Sequence, residues 1–280
     1  MPIVRFPSLP TWRRLALASW RPADDPTIYG FLEIDATNLL AFVQRQRLET
    51  GAPVTLTHVV GKAAALAFAA APECNAAVTR RGLLRRESVD VFFSVALGDG
   101  KSLAGAKLVS ADHKSVAEIA RELSSRVEEI RVKKDSPIQR SQSILRKLPQ
   151  FSLGRVMHAS TSLFFDFGLS LERFGIVSDP FGSVVVTNVG MLGVDQGLAP
   201  LIPAGRTSAL LTVGRVRDKV LAVAGKPVVR PVLTIGGTFD HRVVDGAHLG
   251  KISKTLERVL GDPAQEGALE KDQQYRPIMA

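Results

Sequence analysis

The run Asp240-His241-Arg242-Val243-Val244-Asp245-Gly246 stands where one periodicity gives way to another, and this junction restricts the fold more than any other feature of the chain. Pro231 to Phe239 reads as a strand, and Ala247 to Leu260 repeats its apolar residues at helical spacing. A histidine at such an edge can stand exposed at a cleft while the strand behind holds it rigid. Its unperturbed pKa suits proton transfer near neutrality. The same residues also allow a plainer reading, a surface histidine followed by an aspartate that N-caps the helix.

The rest of the chain mixes both element types. Residues 27–35 read as a strand, followed by a helix to about Arg47 and a nearly all-apolar helix from Thr55 to Ala71, closed by Pro72. Val89 to Leu97 reads as a strand ending in the turn Gly98-Asp99-Gly100. Ser115 and Glu118 form a capping-box pair, after which Val116, Ile119, Ala120, Leu123, Val127 and Ile130 share a helical face. Residues 183–188, 207–214, 219–224 and 228–239 read as strands, with a turn at Ala224-Gly225-Lys226-Pro227. There is no regular βαβ alternation, no internal repeat and no glycine-rich phosphate loop.

With 280 residues, 45% hydrophobic and 22% charged, the chain can bury a sizeable core. Its single cysteine, Cys74, excludes an internal disulfide framework, fits a reducing cytoplasm and reads as a small buried residue. The five histidines and Cys74 show no zinc-ligand spacing, so no metal is expected. No run of about 18 uncharged apolar residues exists, so no membrane span is expected. The net charge of +9 favours acidic partners, but no aromatic-basic motif points to nucleic acid.

The Asp240–Gly246 string resembles the HxxxDG signature of coenzyme A-dependent acyltransferases, in the DHRxxDG form of dihydrolipoamide acyltransferases. Chloramphenicol acetyltransferase is another branch of that superfamily. Further blocks follow in the family's order. Pro72-Glu73-Cys74-Asn75-Ala76 looks like its proline-asparagine pattern, and Gly182 to Gly190 (GSVVVTNVG) looks like GTFTISNLG. Gly193, the segment Ala199 to Pro203, and Ser208 to Gly214, which is similar to an AILAVG strand, continue the series. The resemblance runs with interruptions from about Leu9 to Leu260, and it takes the arginine-rich N-terminal segment as the family's first helix, not a transit peptide. It implies an α/β, chloramphenicol acetyltransferase-like two-layer sandwich with a mixed β-sheet, and an active site between subunits of a trimer.

The same resemblance assigns roles. His241 is the general base that takes a thiol proton directly, with no acyl-enzyme, and Asp245 orients the loop through an arginine for which Arg13 is the best match and Arg14 the alternative. Thr187 stands where the family has the serine that donates to the oxyanion. A strand threonine without a catalytic part is the competing reading. Ser183, Asn188, Gly190 and Arg242 are expected to contact coenzyme A, a substrate whose phosphates suit the basic chain. Asp240 and Gly246 are expected to shape the site.

Three departures bear on function. No lipoyl domain is expected on this chain, so a lipoylated or other acyl-acceptor partner would be separate. The family's GLIVPV segment is replaced by Ser102-Leu103-Ala104-Gly105-Ala106-Lys107, where Lys107 either meets an acidic group or, the slightly favoured reading, points to solvent. Residues 135–180 form a helical insertion, basic then Phe/Leu-rich, expected to pack on its own trimer in preference to an acyl chain or a membrane. The expected organisation is a catalytic domain over 1–262 and a C-terminal tail over 263–280, ending in Pro277-Ile278-Met279-Ala280 as a candidate anchor between trimers in a cubic 24-mer. The reading is a cytoplasmic, homotrimeric coenzyme A-dependent acyltransferase acting on a thiol, hydroxyl or amine. The alternative is a catalytically weak scaffold whose trimers build a hollow cage.

Overall fold

The computed structural model describes residues 25–96, 103–133, 150–169, 179–202, 205–264 and 267–269. Arg13, Arg14, the turn at 98–100, the start of the insertion and the tail from 271 lie outside the described residues. The elements run β1 (Thr27–Asp35), α1 (Thr37–Thr50), α2 (Leu56–Ala70), β2 (Ala76–Thr79), β3 (Gly82–Arg85), β4 (Val91–Ala96) and β5 (Leu103–Leu108). They continue with α3 (Val116–Lys133), α4 (Gln150–Phe167), β6 (Val184–Asn188), β7 (Ala209–Val213), β8 (Arg217–Val223), β9 (Lys226–Asp240) and α5 (Gly246–Gly261).

The longest strand, β9, organises a seven-stranded mixed sheet of order β1-β9-β7-β6-β4-β5, with β8 paired to the first half of β9. Strands β4, β6 and β7 are mutually parallel, and the other pairings are antiparallel. Alternation along each strand sends neighbouring side chains to opposite faces. Phe93, Val184, Val186, Leu211 and Ile235 enter the main core, where α2 buries Val59, Val60, Ala63, Ala64 and Ala67. Each fully buried Val, Leu or Phe contributes about 1.5–3 kcal/mol. Their neighbours Phe92, Val185 and Leu210 form a smaller cluster on the other face, with Phe181, Ala199 and Leu201 against it. The result is the expected α/β sandwich, helices on one side of a mixed sheet.

Local chemistry explains the joints. Thr55 and His58 make a reciprocal capping box at the start of α2, and Ser115 and Glu118 make another before α3. The β8–β9 hairpin turns on Ala224 and Gly225 alone, both at positive φ (49° and 77°), as a tight right-twisted hairpin needs.

Several features differ from the sequence expectations. A hairpin of β2 and β3 follows the Pro72–Cys74 turn, unforeseen because its strands are only four residues long, Arg80 and Arg81 sit at the turn between them, and β3 is exposed throughout. For Lys107 the acidic-partner reading holds over the favoured solvent one: its Nζ lies 3.2 Å from the buried Asp90 carboxylate. Leu269 is fully buried in the main core, so the packed structure continues past the boundary expected at 262. The end of the insertion is anchored. Asp166 on α4 is buried, accepts from the Arg80 N–H, and pairs with Arg206 at 2.7 Å, while Phe165 lies under the Arg86 and Arg206 guanidinia.

Candidate active site

Residues 232–240 of β9 are all buried, so the strand delivers its last residue, Asp240, to the sheet edge on a fixed frame. The Asp240 carboxylate accepts from the backbone N–H of Arg242 (3.0 Å) and from its Nε (2.9 Å) and Nη2 (2.7 Å). The Asp240 carbonyl accepts from the N–H groups of Val243 and Val244, both at 2.9 Å. Those two valines are buried, and this inward anchoring leaves His241 exposed between fixed neighbours. Its own N–H donates to the Pro26 carbonyl at 2.8 Å, tying the backbone to the chain entering β1.

Asp245 is the N-cap of α5, accepting from the His248 N–H at 3.0 Å. That bond first, and then the nearby His248 and His241 rings, hold its carboxyl below the usual carboxylate range. The capping reading of Asp245 is therefore realised, and the arginine expected beside it lies outside the described residues. Gly246 begins α5, and a Cβ there would touch nothing within 4 Å in this chain. Arg242 is exposed on one side but its guanidinium is engaged by Asp240, which leaves it less free for a phosphate than expected.

Thr187 lies near the end of β6, half-buried, on the face opposite the helices. Register sets it abreast of Ser94 on β4 and Thr212 on β7, a row of three hydroxyl residues. The Thr212 hydroxyl donates to the Gly197 carbonyl, in a space open only because Gly236 on β9 has no side chain. Asn188 points the other way. Its Nδ2 donates to the Thr57 hydroxyl at 2.8 Å and its Oδ1 accepts from the Met191 N–H at 3.1 Å. Asn188, Thr57, His58 and Met191 line a cavity of about 370 Å³. Sequence reasoning missed His58, whose signal was the Thr55–His58 capping spacing; burial lowers its pKa from 6.5 to about 4.

Two expected coenzyme A contacts serve the fold in this chain. Ser183 is fully buried, accepting from the Asp90 N–H and donating to the Ser88 carbonyl, so its hydroxyl is closed to a ligand. Gly190 is required by close packing, because a Cβ would come within 2.6 Å of the backbone of Gly214 and Arg215. A second cavity, about 560 Å³, opens at the His241 end of the sheet beside Thr27, Tyr29, Arg206 and Arg242.

The sheet and its helical layer have the fold of dihydrolipoamide acetyltransferase catalytic domains. The chain belongs to the 2-oxoacid dehydrogenases acyltransferase (catalytic domain) family, whose model matches residues 18–144 and 181–267. It is 26% identical over 212 residues to the dihydrolipoyllysine-residue acetyltransferase component 5 of the pyruvate dehydrogenase complex of Arabidopsis thaliana, covering 75% of this chain and 36% of that protein. A probable dihydrolipoamide acetyltransferase from Listeria monocytogenes has the same fold, with a TM-score of 0.64, 19% identity and coverage of 94% and 97% of the two chains. The dihydrolipoamide acetyltransferase of Azotobacter vinelandii gives 0.63 and 20%, covering 95% and 98%. The alignments span about a third or less of the length of the curated relatives they match.

Proposed function

We propose that this chain transfers an acyl group between coenzyme A and a thiol, hydroxyl or amine acceptor, with His241 as general base. The observation that carries the reading is the exposure of His241 on a loop whose neighbours are anchored by Asp240, Val243 and Val244. An imidazole so placed takes the acceptor's proton as the freed lone pair attacks the thioester carbonyl. The tetrahedral intermediate then needs a donor for its oxyanion, and the Thr187 hydroxyl is of the right kind. Collapse expels the coenzyme A thiolate, which recovers the proton from His241. No acyl-enzyme is required, and Cys74 is fully buried.

His241 and Thr187 lie at opposite ends of one sheet, so the site is completed between subunits of a homotrimer, with a cubic 24-mer as the larger assembly. The names of the relatives make a lipoylated protein the first acceptor to try. The test follows free coenzyme A released from acetyl-coenzyme A with dihydrolipoamide, comparing wild type with His241→Ala. Loss of turnover with an unchanged trimer is expected. Equal turnover in the two proteins overturns the reading and favours the cage scaffold.

A further inference from the structure

We propose that Glu73, Cys74 and His248 form a site for a borderline-soft divalent cation, zinc in the first place, which clasps the end of α2 to the start of α5. One ligand atom from each residue lies within 4.8 Å of the other two. In tetrahedral zinc coordination, with bonds of about 2.0–2.3 Å, neighbouring ligand atoms sit roughly 3.3–3.8 Å apart. Small side-chain rotations close that difference. A mixed sulfur, nitrogen and oxygen set favours zinc over magnesium or calcium, which prefer oxygen alone.

A second observation points the same way. Asp245 Oδ1 lies 2.9 Å from His248 Nδ1, closer than the 3.3 Å between that nitrogen and the Asp245 N–H. In the metal-free chain Nδ1 accepts from the Asp245 N–H; in the proposed loaded site the imidazole proton moves to Nδ1 and is donated to the adjacent carboxylate. Nε2 is then left with its lone pair turned toward Glu73, 3.8 Å from Oε1. This is the carboxylate–histidine arrangement that orients ligands in metal sites. Cys74 is fully buried on the Pro72–Cys74 turn, so its sulfur faces the cluster from the protein side, while Glu73 closes it from the exposed side.

Binding exchanges one bond for another: the Cys74 thiol gives its proton to solvent as the sulfur–metal bond forms. Lys251, whose Nζ is 3.2 Å from Glu73 Oε1, is the competing cation and must swing away. The blander account is a buried cysteine beside a surface ion-pair cluster of Glu73, His248 and Lys251, and the two accounts differ in what they predict. The spacing rules that exclude a metal from the sequence look for ligands close along the chain. Here helix packing joins residues from distant segments.

The full chain, stripped with chelator, is titrated with cobalt(II). The expected result is one equivalent bound, with a near-ultraviolet thiolate-to-cobalt charge-transfer band that zinc displaces. Cys74→Ser abolishes that band. Two surface variants guard against misfolding of the buried one. Asp245→Asn retains an N-cap side chain and weakens binding by roughly 10- to 100-fold, whereas Lys251→Met tightens it. No charge-transfer band at stoichiometric cobalt overturns the proposal. So does an unchanged band in Cys74→Ser, or identical affinity in Asp245→Asn and Lys251→Met.

Discussion

Thr187 and His241 stand at opposite ends of the same sheet. Thr187 on β6 is level with Thr212 on β7, which is level with Gly236 on β9, and His241 follows five residues further along. At about 3.4 Å per residue the two are offset by roughly 17 Å along the strands, before the lateral spacing of two strands is added. The base and oxyanion donor proposed for these two residues must both lie within hydrogen-bond reach of one reacting group. One chain cannot bring them together, but the His241 end of one subunit can meet the Thr187 end of the next around a threefold axis.

Complementation follows from that offset. His241→Ala and Thr187→Val are each expected to be inactive as pure assemblies. Mixed by co-refolding in equal amounts, they should recover about a quarter of wild-type turnover, the share of interfaces that pair an intact histidine with an intact threonine. Coenzyme A release from the mixture measures it. Activity no higher than either parent would show that the two residues do not act across an interface.

At Thr187 itself, serine and valine separate chemistry from shape. Thr187→Ser keeps the donor with fewer steric limits on its rotamer, and turnover should hold or rise. Thr187→Val keeps the branched shape, removes the hydroxyl and should lower kcat by about 100- to 1000-fold. Unchanged kcat in the valine variant would remove Thr187 from the mechanism.

The anchor of α4 is open to a stability test. Asp166 is held well below the usual carboxylate range, first by hydrogen bonds from Arg206 and then by the Arg80 N–H. Its side chain is almost fully buried, so Asp166→Ala leaves the largely buried Arg206 without its carboxylate. A loss of roughly 3 kcal/mol in urea unfolding is expected. A change below half a kcal/mol would mean that the insertion is not tied to the domain by this pair.

The sequence revealed the β9–loop–α5 junction because both periodicities are clean, and β6, β7 and the capped helices for the same reason. What it hid depended on contacts between distant segments. Thr187 and Asn188 are adjacent in sequence and looked like one site, yet strand alternation turns them to opposite faces of the sheet. Ser183 looked available until Asp90 and Ser88 claimed its hydroxyl. The partner of Lys107 is on the neighbouring strand's approach, where no periodicity marks it. The meeting of Glu73 and Cys74 with His248 arises only when α2 packs on α5.

His58 supplies the last prediction, a pH dependence with a definite sign. Its ring is buried against the core, edge-on to Phe93 at 6.3 Å between centroids, and accepts from the Thr55 N–H at 3.1 Å. Burial disfavours the charged imidazolium, with Arg47 adding repulsion, so the pKa falls from 6.5 to about 4. A group depressed in the folded state stabilises fully above its unfolded pKa and loses that contribution as pH falls toward the folded value. The window is therefore pH 6.5 down to about 4, and the loss across it is roughly 3 kcal/mol. His58→Gln keeps an N3 side chain able to cap Thr55 but cannot titrate. Urea midpoints measured from pH 7 to pH 4 should fall for wild type and fall less for the variant, with the two curves converging toward acid. Parallel curves across that range would show that His58 is not the group that destabilises the fold in mild acid.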